Sequence, residues 1–179
     1  KYTVNISYKK TATLPKRYDL TSVNRVSNIR NQGSTSTCWA CASLEAMESS
    51  MLPALPYNFS VDSMINDNSF GLSEADGGDY TMALAYLLSW QGPALQDKHT
   101  TLIDEWKGNG EQENVHLQSV QFYDSENLDG IKWAVYRYGG VSTSVYASVS
   151  TANLNGSNSY NSLTNSYYYR GSSKPNHDV

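Results

Sequence analysis

The hydrophobic pattern of the first half of the chain predicts helices. One face of a helix running from Cys38 to Leu52 is apolar, with intervals of four, three and four residues between its members: Ala40, Leu44, Met47 and Met51. This is the periodicity of an amphipathic α-helix, and Pro53 ends it because proline cannot continue the hydrogen-bond ladder.

Two shorter helices follow the same logic. Ser60 is a good N-cap residue, and Met64 and Ile65 follow it at helical spacing. After a long polar loop over residues 66–78, apolar positions at helical spacing run as far as Trp90 and stop at Gly92-Pro93.

The second half of the chain favours strands. Residues 2–8, 115–123 and 141–146 alternate apolar and polar side chains, and shorter strands are expected at 167–170 and 174–179. One helix, from Leu128 to Tyr138, interrupts them and closes at Gly139-Gly140. Helices followed by strands indicate an α+β fold with a mainly helical part (14–~94) and a mainly β part (~95–179).

Between the first strand and the first helix, residues 21–37 are polar and predict a loop. Val23, Val26 and Ile29 are spaced so that they could hold this loop against the core.

Composition and charge exclude several function classes. The 179 residues carry a formal net charge of −4, and no basic face that could bind a nucleic-acid backbone is visible. No apolar run approaches the roughly 18 residues needed to span a bilayer. At 39% hydrophobic residues, the chain can still bury a core.

The two cysteines, Cys38 and Cys41, are too few for a disulfide framework. Cys38 falls at the start of the first predicted helix, where unpaired N–H groups and the helix dipole favour a thiolate. Catalysis is the first interpretation of this position, and an inert buried cysteine is the alternative.

A thiol nucleophile needs a general base and a donor for the developing oxyanion. Of the three histidines, His99 and His116 have the polar neighbours typical of surface residues, whereas His177 begins a predicted strand. Gln32 could supply the oxyanion with a side-chain amide and the Cys38 N–H a second donor, although Gln32 alone could equally be a solvated loop residue.

Two other chemistries are alternatives to a nucleophilic cysteine. Cys38-Trp39-Ala40-Cys41 is a C-x-x-C sequence, which thioredoxin-like redox proteins use, but those proteins have a strand directly before the motif and this chain has a polar loop. A zinc site is disfavoured because the cysteines and histidines lack metal-ligand spacing.

Five segments resemble the papain-like cysteine peptidases, and they occur in family order. They are the mature-domain start (14–20), the nucleophile loop (29–33 with 38–40), a helix start (59–62), a glycine pair (77–78) and the histidine strand (176–179). The resemblance implies a two-lobed fold in which a helical left lobe faces a β-barrel-like right lobe, incomplete in this chain. Residues 1–13 would then be a prosegment tail or part of a preceding module.

The resemblance also implies a mechanism with an acyl-enzyme intermediate and without metal or cofactor. Cys38 would be the nucleophile, His177 its base and Gln32 the oxyanion-hole side chain. An extended peptide or protein substrate would be bound by Gly77, Gly78 and Asn176, with Ser144 and Asp178 loosely assigned near the main specificity pocket.

The chain departs from the family in three places. Ser36 and Thr37 replace the usual Gly-Ser pair of the nucleophile loop. Thr35 stands where the family has a disulfide cysteine, and the catalytic asparagine that orients the histidine lies on a segment absent from these residues. We therefore expect a second polypeptide segment to complete the right lobe and carry that asparagine. A catalytically silent binding or scaffold module is the alternative, and the resemblance implies a secreted or cell-surface protein, with the lack of disulfides suggesting a bacterial source.

Overall fold

A computed structural model describes residues 13–96, 115–147, 158–164 and 166–179. The strand predicted over residues 2–8 and the residue His99 lie outside the described residues.

Four α-helices occur in the described residues, and all four are predicted from the sequence. They are α1 (Cys38–Met51), α2 (Val61–Asn66), α3 (Tyr80–Leu88) and α4 (Leu128–Tyr138). A short 3-10 helix, Thr21–Val23, was not predicted. Ser60 caps α2 as expected, because its hydroxyl accepts a hydrogen bond from the Ser63 N–H at 3.1 Å. Asp79 caps α3 in the same way through the Thr81 N–H at 2.8 Å.

The core lies in the helical part, where α1 contacts both α2 and α3. The buried cluster contains nine residues: Trp39, Ala40, Leu44, Phe59, Met64, Ile65, Ala83, Tyr86 and Leu87. Burying one large apolar side chain of this kind contributes about 1.5–3 kcal/mol. This cluster therefore fixes α1, and with it the position of Cys38.

The strands are shorter than the sequence pattern suggests. β1 (Ser144–Val145) pairs antiparallel with β4 (His177–Asp178), with Val145 opposite His177. β2 (Tyr160–Asn161) pairs antiparallel with β3 (Ser166–Tyr167). The ladder of β1 and β4 continues by one pair through mutual hydrogen bonds between Thr143 and Val179 at 2.8 and 2.9 Å.

The strand predicted over residues 115–123 is wrong, because residues 115–123 have no strand assignment in the structure. Val115 and Leu117 pack against the helical core, and His116 stacks on Trp90 with ring centroids 4.4 Å apart. The first apolar residues of this segment therefore pack against helices, without the partner strand that a ladder requires.

The loop over residues 21–37 is also held differently from the sequence expectation. Val23, Val26 and Ile29 are all exposed, Ile29 to 90%, so they do not hold the loop against the core. Arg25 instead donates to the carbonyl oxygen of Tyr138 at 2.5 Å, and Arg30 makes an ion pair with α1. Among the described residues, no helix is long and apolar enough to cross a membrane.

Candidate active site

Cys38 is the first residue of α1, and Thr37 precedes it as the N-cap residue. The carbonyl oxygen of Thr37 accepts hydrogen bonds from the N–H groups of Ala40 and Cys41, each at 3.1 Å. Its side chain caps no N–H group of the helix. The Cys38 side chain is half-buried at the positive end of α1, where an anion is stabilised.

One cleft of about 570 Å³ is lined by all three predicted catalytic residues. Cys38 lies on its helical side, Gln32 on the adjoining loop and His177 on the strand side. Asp178 also lines this cleft, whereas Gly77, Gly78, Asn176 and Ser144 are not among its lining residues. A nucleophile, an imidazole and an amide donor around one space can support acyl transfer.

The Gln32 side chain has a fixed orientation. Its Nε2 donates to the carbonyl oxygen of Thr35 at 2.6 Å. A side-chain amide carries two N–H donors, so this bond leaves one for another acceptor. Gly33, which has a φ of +61°, turns the loop directly after Gln32, a conformation that glycine adopts without strain.

His177 reaches the cleft because β4 contacts α1. Burial lowers the pKa of His177 below its ordinary value of 6.5, and the negative charge of Asp178 acts in the opposite direction. The Asp178 carboxylate accepts a hydrogen bond from the Ser144 hydroxyl at 2.5 Å. Strand pairing thus places Ser144 beside the residue that follows His177.

The side chain of Asn176 bonds within its own lobe. Its Oδ1 accepts from the Ala147 N–H at 2.8 Å, and its Nδ2 donates to the Ala147 carbonyl oxygen at 3.2 Å. The Asn176 N–H donates to the carbonyl oxygen of Val145 at 3.0 Å. The side chain and the backbone N–H of Asn176 are therefore both bonded within the protein.

The glycine pair lies beside the nucleophile loop. Gly77 has a φ of +77°, and a Cβ atom at Gly78 would lie 2.7 Å from the indole Nε1 of Trp39. The Ser36 N–H donates to the carbonyl oxygen of Glu74 at 2.8 Å, which joins the loop before Cys38 to the turn before the glycines. These contacts bring the glycine backbone next to the residue that follows Cys38.

Cys41 lines the same cleft one turn further along α1. Burial raises the pKa of the Cys41 thiol, and a hydrogen bond with Thr37 and the charge of Arg30 only partly oppose this. Cys41 is therefore less often ionised at neutral pH than an ordinary cysteine.

Sequence reasoning missed the ion pair between Arg30 and Glu48. Glu48 is fully buried on α1, and its Oε1 lies 2.5 Å from Nη2 of Arg30. The signal was present in the sequence, because Glu48 follows Leu44 by four residues on the buried face of the helix. A carboxylate on such a face requires a cationic partner.

Comparison with known proteins agrees with this arrangement. The sequence profile of the papain family cysteine proteases matches residues 14–173. The crystal structure of the cysteine protease and lectin-like domains of Cwp84, a surface layer associated protein of Clostridium difficile, is 24% identical with a TM-score of 0.62. That match covers 93% of this chain and 39% of the other.

Two further solved structures also match parts of this chain. Cwp84 after propeptide cleavage is 23% identical with a TM-score of 0.62, covering 90% of this chain and 42% of that one. The digestive procathepsin L2 of Tenebrio molitor is 25% identical with a TM-score of 0.43, covering 49% and 29%. The chain spans less than half the length of each of these proteins.

The profile match extends over most of the chain, and the Cwp84 structures share its fold. The helical part, the short antiparallel ladders and the cleft between α1 and β4 fit a papain-like α+β fold. The chain therefore belongs to the papain family of cysteine proteases.

Proposed function

We propose that this protein is a cysteine peptidase that hydrolyses peptide bonds through the Cys38 thiolate and an acyl-enzyme intermediate. The observation that carries the proposal is the single cleft lined by Cys38, Gln32 and His177. Membership of the papain family supports the same reaction class.

In this mechanism the Cys38 sulfur attacks the carbonyl carbon of the substrate, and a C–S bond forms. The negative charge moves to the carbonyl oxygen, where the free N–H of Gln32 and the Cys38 backbone N–H stabilise it. The His177 imidazolium protonates the leaving amine as the C–N bond breaks. Neutral His177 then activates water, which hydrolyses the thioester and regenerates the thiolate.

The substrate of the proposed enzyme is an extended peptide. The backbone of Gly77 and Gly78 forms one wall, because glycine lets a strand approach closely. The carbonyl oxygen of Asn176 binds from the other wall, since its side chain is occupied by Ala147. Ser144 and Asp178 hold each other beside His177 and shape the neighbouring specificity pocket.

The proposal also includes an expected source of the catalytic asparagine and an expected location of the protein. The asparagine that orients His177 is expected on a further segment of the right lobe, contributed outside the described residues. A secreted or cell-surface location is supported by Cwp84, which is described as a surface layer associated protein.

Covalent labelling of the protein expressed from its complete gene tests the proposed function. An epoxysuccinyl inhibitor of the E-64 type should add once, on Cys38, and should abolish cleavage of a peptide library. Cys41→Ser is the matched control because it removes a thiol from the same cleft, and it should keep both labelling and cleavage.

Absence of the adduct, with Cys38 still accessible to a small thiol reagent, would favour a binding module over a peptidase. Labelling that moves to Cys41, or that survives in the Cys38→Ser variant, would contradict the assignment of the nucleophile.

A further inference from the structure

A buried ion pair anchors the loop that carries Gln32. The Arg30 guanidinium binds the Glu48 carboxylate through both ends, with Nη1 3.0 Å from Oε2 and Nη2 2.5 Å from Oε1. The side chain of Arg30 is 12% exposed and that of Glu48 is 0% exposed. Two-point contact of this kind fixes orientation as well as distance.

The same pair joins a third segment of the chain. Nη2 of Arg30 also donates to Asn58 Oδ1 at 3.0 Å and to the carbonyl oxygen of Phe59 at 2.8 Å. Glu48 Oε1 accepts from the Phe59 N–H at 2.6 Å. The loop, α1 and the segment that leads into α2 therefore meet at one buried charge pair.

The anchor lies two residues before Gln32. The Arg30 backbone N–H donates to Glu45 Oε1 at 3.0 Å, which fixes the main chain of the loop to α1 at the same point. The bond between Ser36 and Glu74 holds the other end of the loop. Gln32 lies in the loop between these two bonds. Ile29, which precedes Arg30, is 90% exposed and contributes little apolar packing.

We infer that Arg30 is a positioning residue for the oxyanion donor: held by Glu48, it fixes the loop so that the Gln32 amide faces the cleft. This inference rests on the proposed function. Arg30 acts through Gln32 and takes no part in bond making, so its loss should slow the step that develops an oxyanion and leave other reactions of Cys38 unchanged.

The Arg30→Lys variant tests this, because lysine keeps the charge but loses the planar two-point contact. In the protein expressed from its complete gene, kcat for a peptide substrate should fall at least about tenfold, in line with the loss of an oxyanion donor. KM should change by less than about twofold, since ground-state binding is untouched.

Alkylation of Cys38 by iodoacetamide separates positioning from general damage. That reaction displaces iodide from a saturated carbon and forms no oxyanion, so its rate should stay within about twofold of wild type. If alkylation and kcat fall together, the variant has disturbed Cys38 itself and the inference is overturned.

A double-mutant cycle with Gln32→Ala gives the second readout. If Arg30 acts through Gln32, adding Arg30→Lys to Gln32→Ala should lower kcat by less than about twofold more. Fully additive losses would overturn the inference. Glu45→Gln keeps the pair of Arg30 and Glu48, but it weakens the bond to the Arg30 backbone N–H and removes a negative charge 3.8 Å from Nη1 of Arg30. It should lower kcat in the same direction, and it provides the test if Arg30→Lys does not fold.

Arg25→Lys is the matched control. Arg25 also joins this loop to distant backbone, through the carbonyl oxygens of Arg137 and Tyr138, but it lies seven residues from Gln32. It should leave both kcat and the alkylation rate near wild type, and an equal selective loss of kcat would overturn the inference. A wild-type protein without turnover would overturn the proposed function together with the inference, whereas an active wild type with additive variants overturns the inference alone.

Discussion

Gly78 lies directly against the indole ring of Trp39. A Cβ atom at Gly78 would lie 2.7 Å from indole Nε1 and Cε2 and 2.8 Å from the sulfur of Met82. Trp39 is buried in the core and follows Cys38 in α1, so it cannot retreat without moving the start of the helix. The absence of a side chain at Gly78 is thus required by packing beside the nucleophile.

The Gly78→Ala variant should therefore lose both stability and activity. Overpacking at such a contact costs about 1–3 kcal/mol, which urea unfolding would measure. Cleavage of extended peptides should lose kcat/KM, because the substrate-binding backbone is displaced. Gly140→Ala is the control, since its Cβ would lie 3.4 Å from that of Ser49. Equal behaviour of the two variants would contradict this account.

The titration of His177 should respond to Asp178. Burial lowers the pKa of His177 and Asp178 opposes this, so Asp178→Asn should lower the NMR titration midpoint further below 6.5. Ser144→Ala is the control, because it removes only the hydrogen bond to Asp178 and keeps the carboxylate. An unchanged midpoint in Asp178→Asn would show that the carboxylate does not act on the ring.

The lowered pKa of His177 also has a consequence for stability. Between the lowered value and 6.5, the unfolded chain binds more protons than the folded chain, so stability rises with pH across this interval. The contribution is fully present above pH 6.5 and is lost as the pH falls through the folded-state pKa. The free energy of unfolding of wild type minus that of His177→Gln, measured with urea, should therefore decrease as the pH falls through this range. A parallel pair of curves would contradict the assignment.

Cys41 should behave as a protonated thiol at neutral pH. In a Cys38→Ser background, the rate of alkylation of Cys41 should rise with pH along a curve whose midpoint lies above the ordinary value of 9.0, because burial raises the pKa. Thr37→Val removes the opposing hydrogen bond and should move the midpoint higher still. A midpoint below 9.0 would mean that the charge of Arg30 outweighs burial.

The ion pair of Glu48 should contribute strongly to stability. Glu48→Ala leaves the Arg30 guanidinium buried without its partner, which costs about 3–5 kcal/mol in comparable sites. The exposed pair of Arg17 and Asp19 is the matched control, since solvent screens it and Arg17→Ala should change the urea midpoint little. A small loss in Glu48→Ala would show that water reaches the pair.

Local patterns were sufficient to predict the helices. The spacing of apolar side chains predicted α1 to within one residue at its end, and Ser60 marked the start of α2. These features depend on neighbours three or four residues apart, so the sequence contains all the information that they need. The same local pattern identified Cys38 as a residue at a helix start.

Contacts between segments that are far apart in the chain depend on the tertiary structure. The segment predicted as a strand at 115–123 packs against helices instead. In the loop, Ile29 is exposed although it is apolar, and Arg30 is mostly buried although it is charged. The sequence by itself determined the helices, the family and the candidate residues Cys38, Gln32 and His177. The fold decided that these three share one cleft and that a buried charge pair holds their loop, because strand pairing and desolvation depend on residues far apart in the chain.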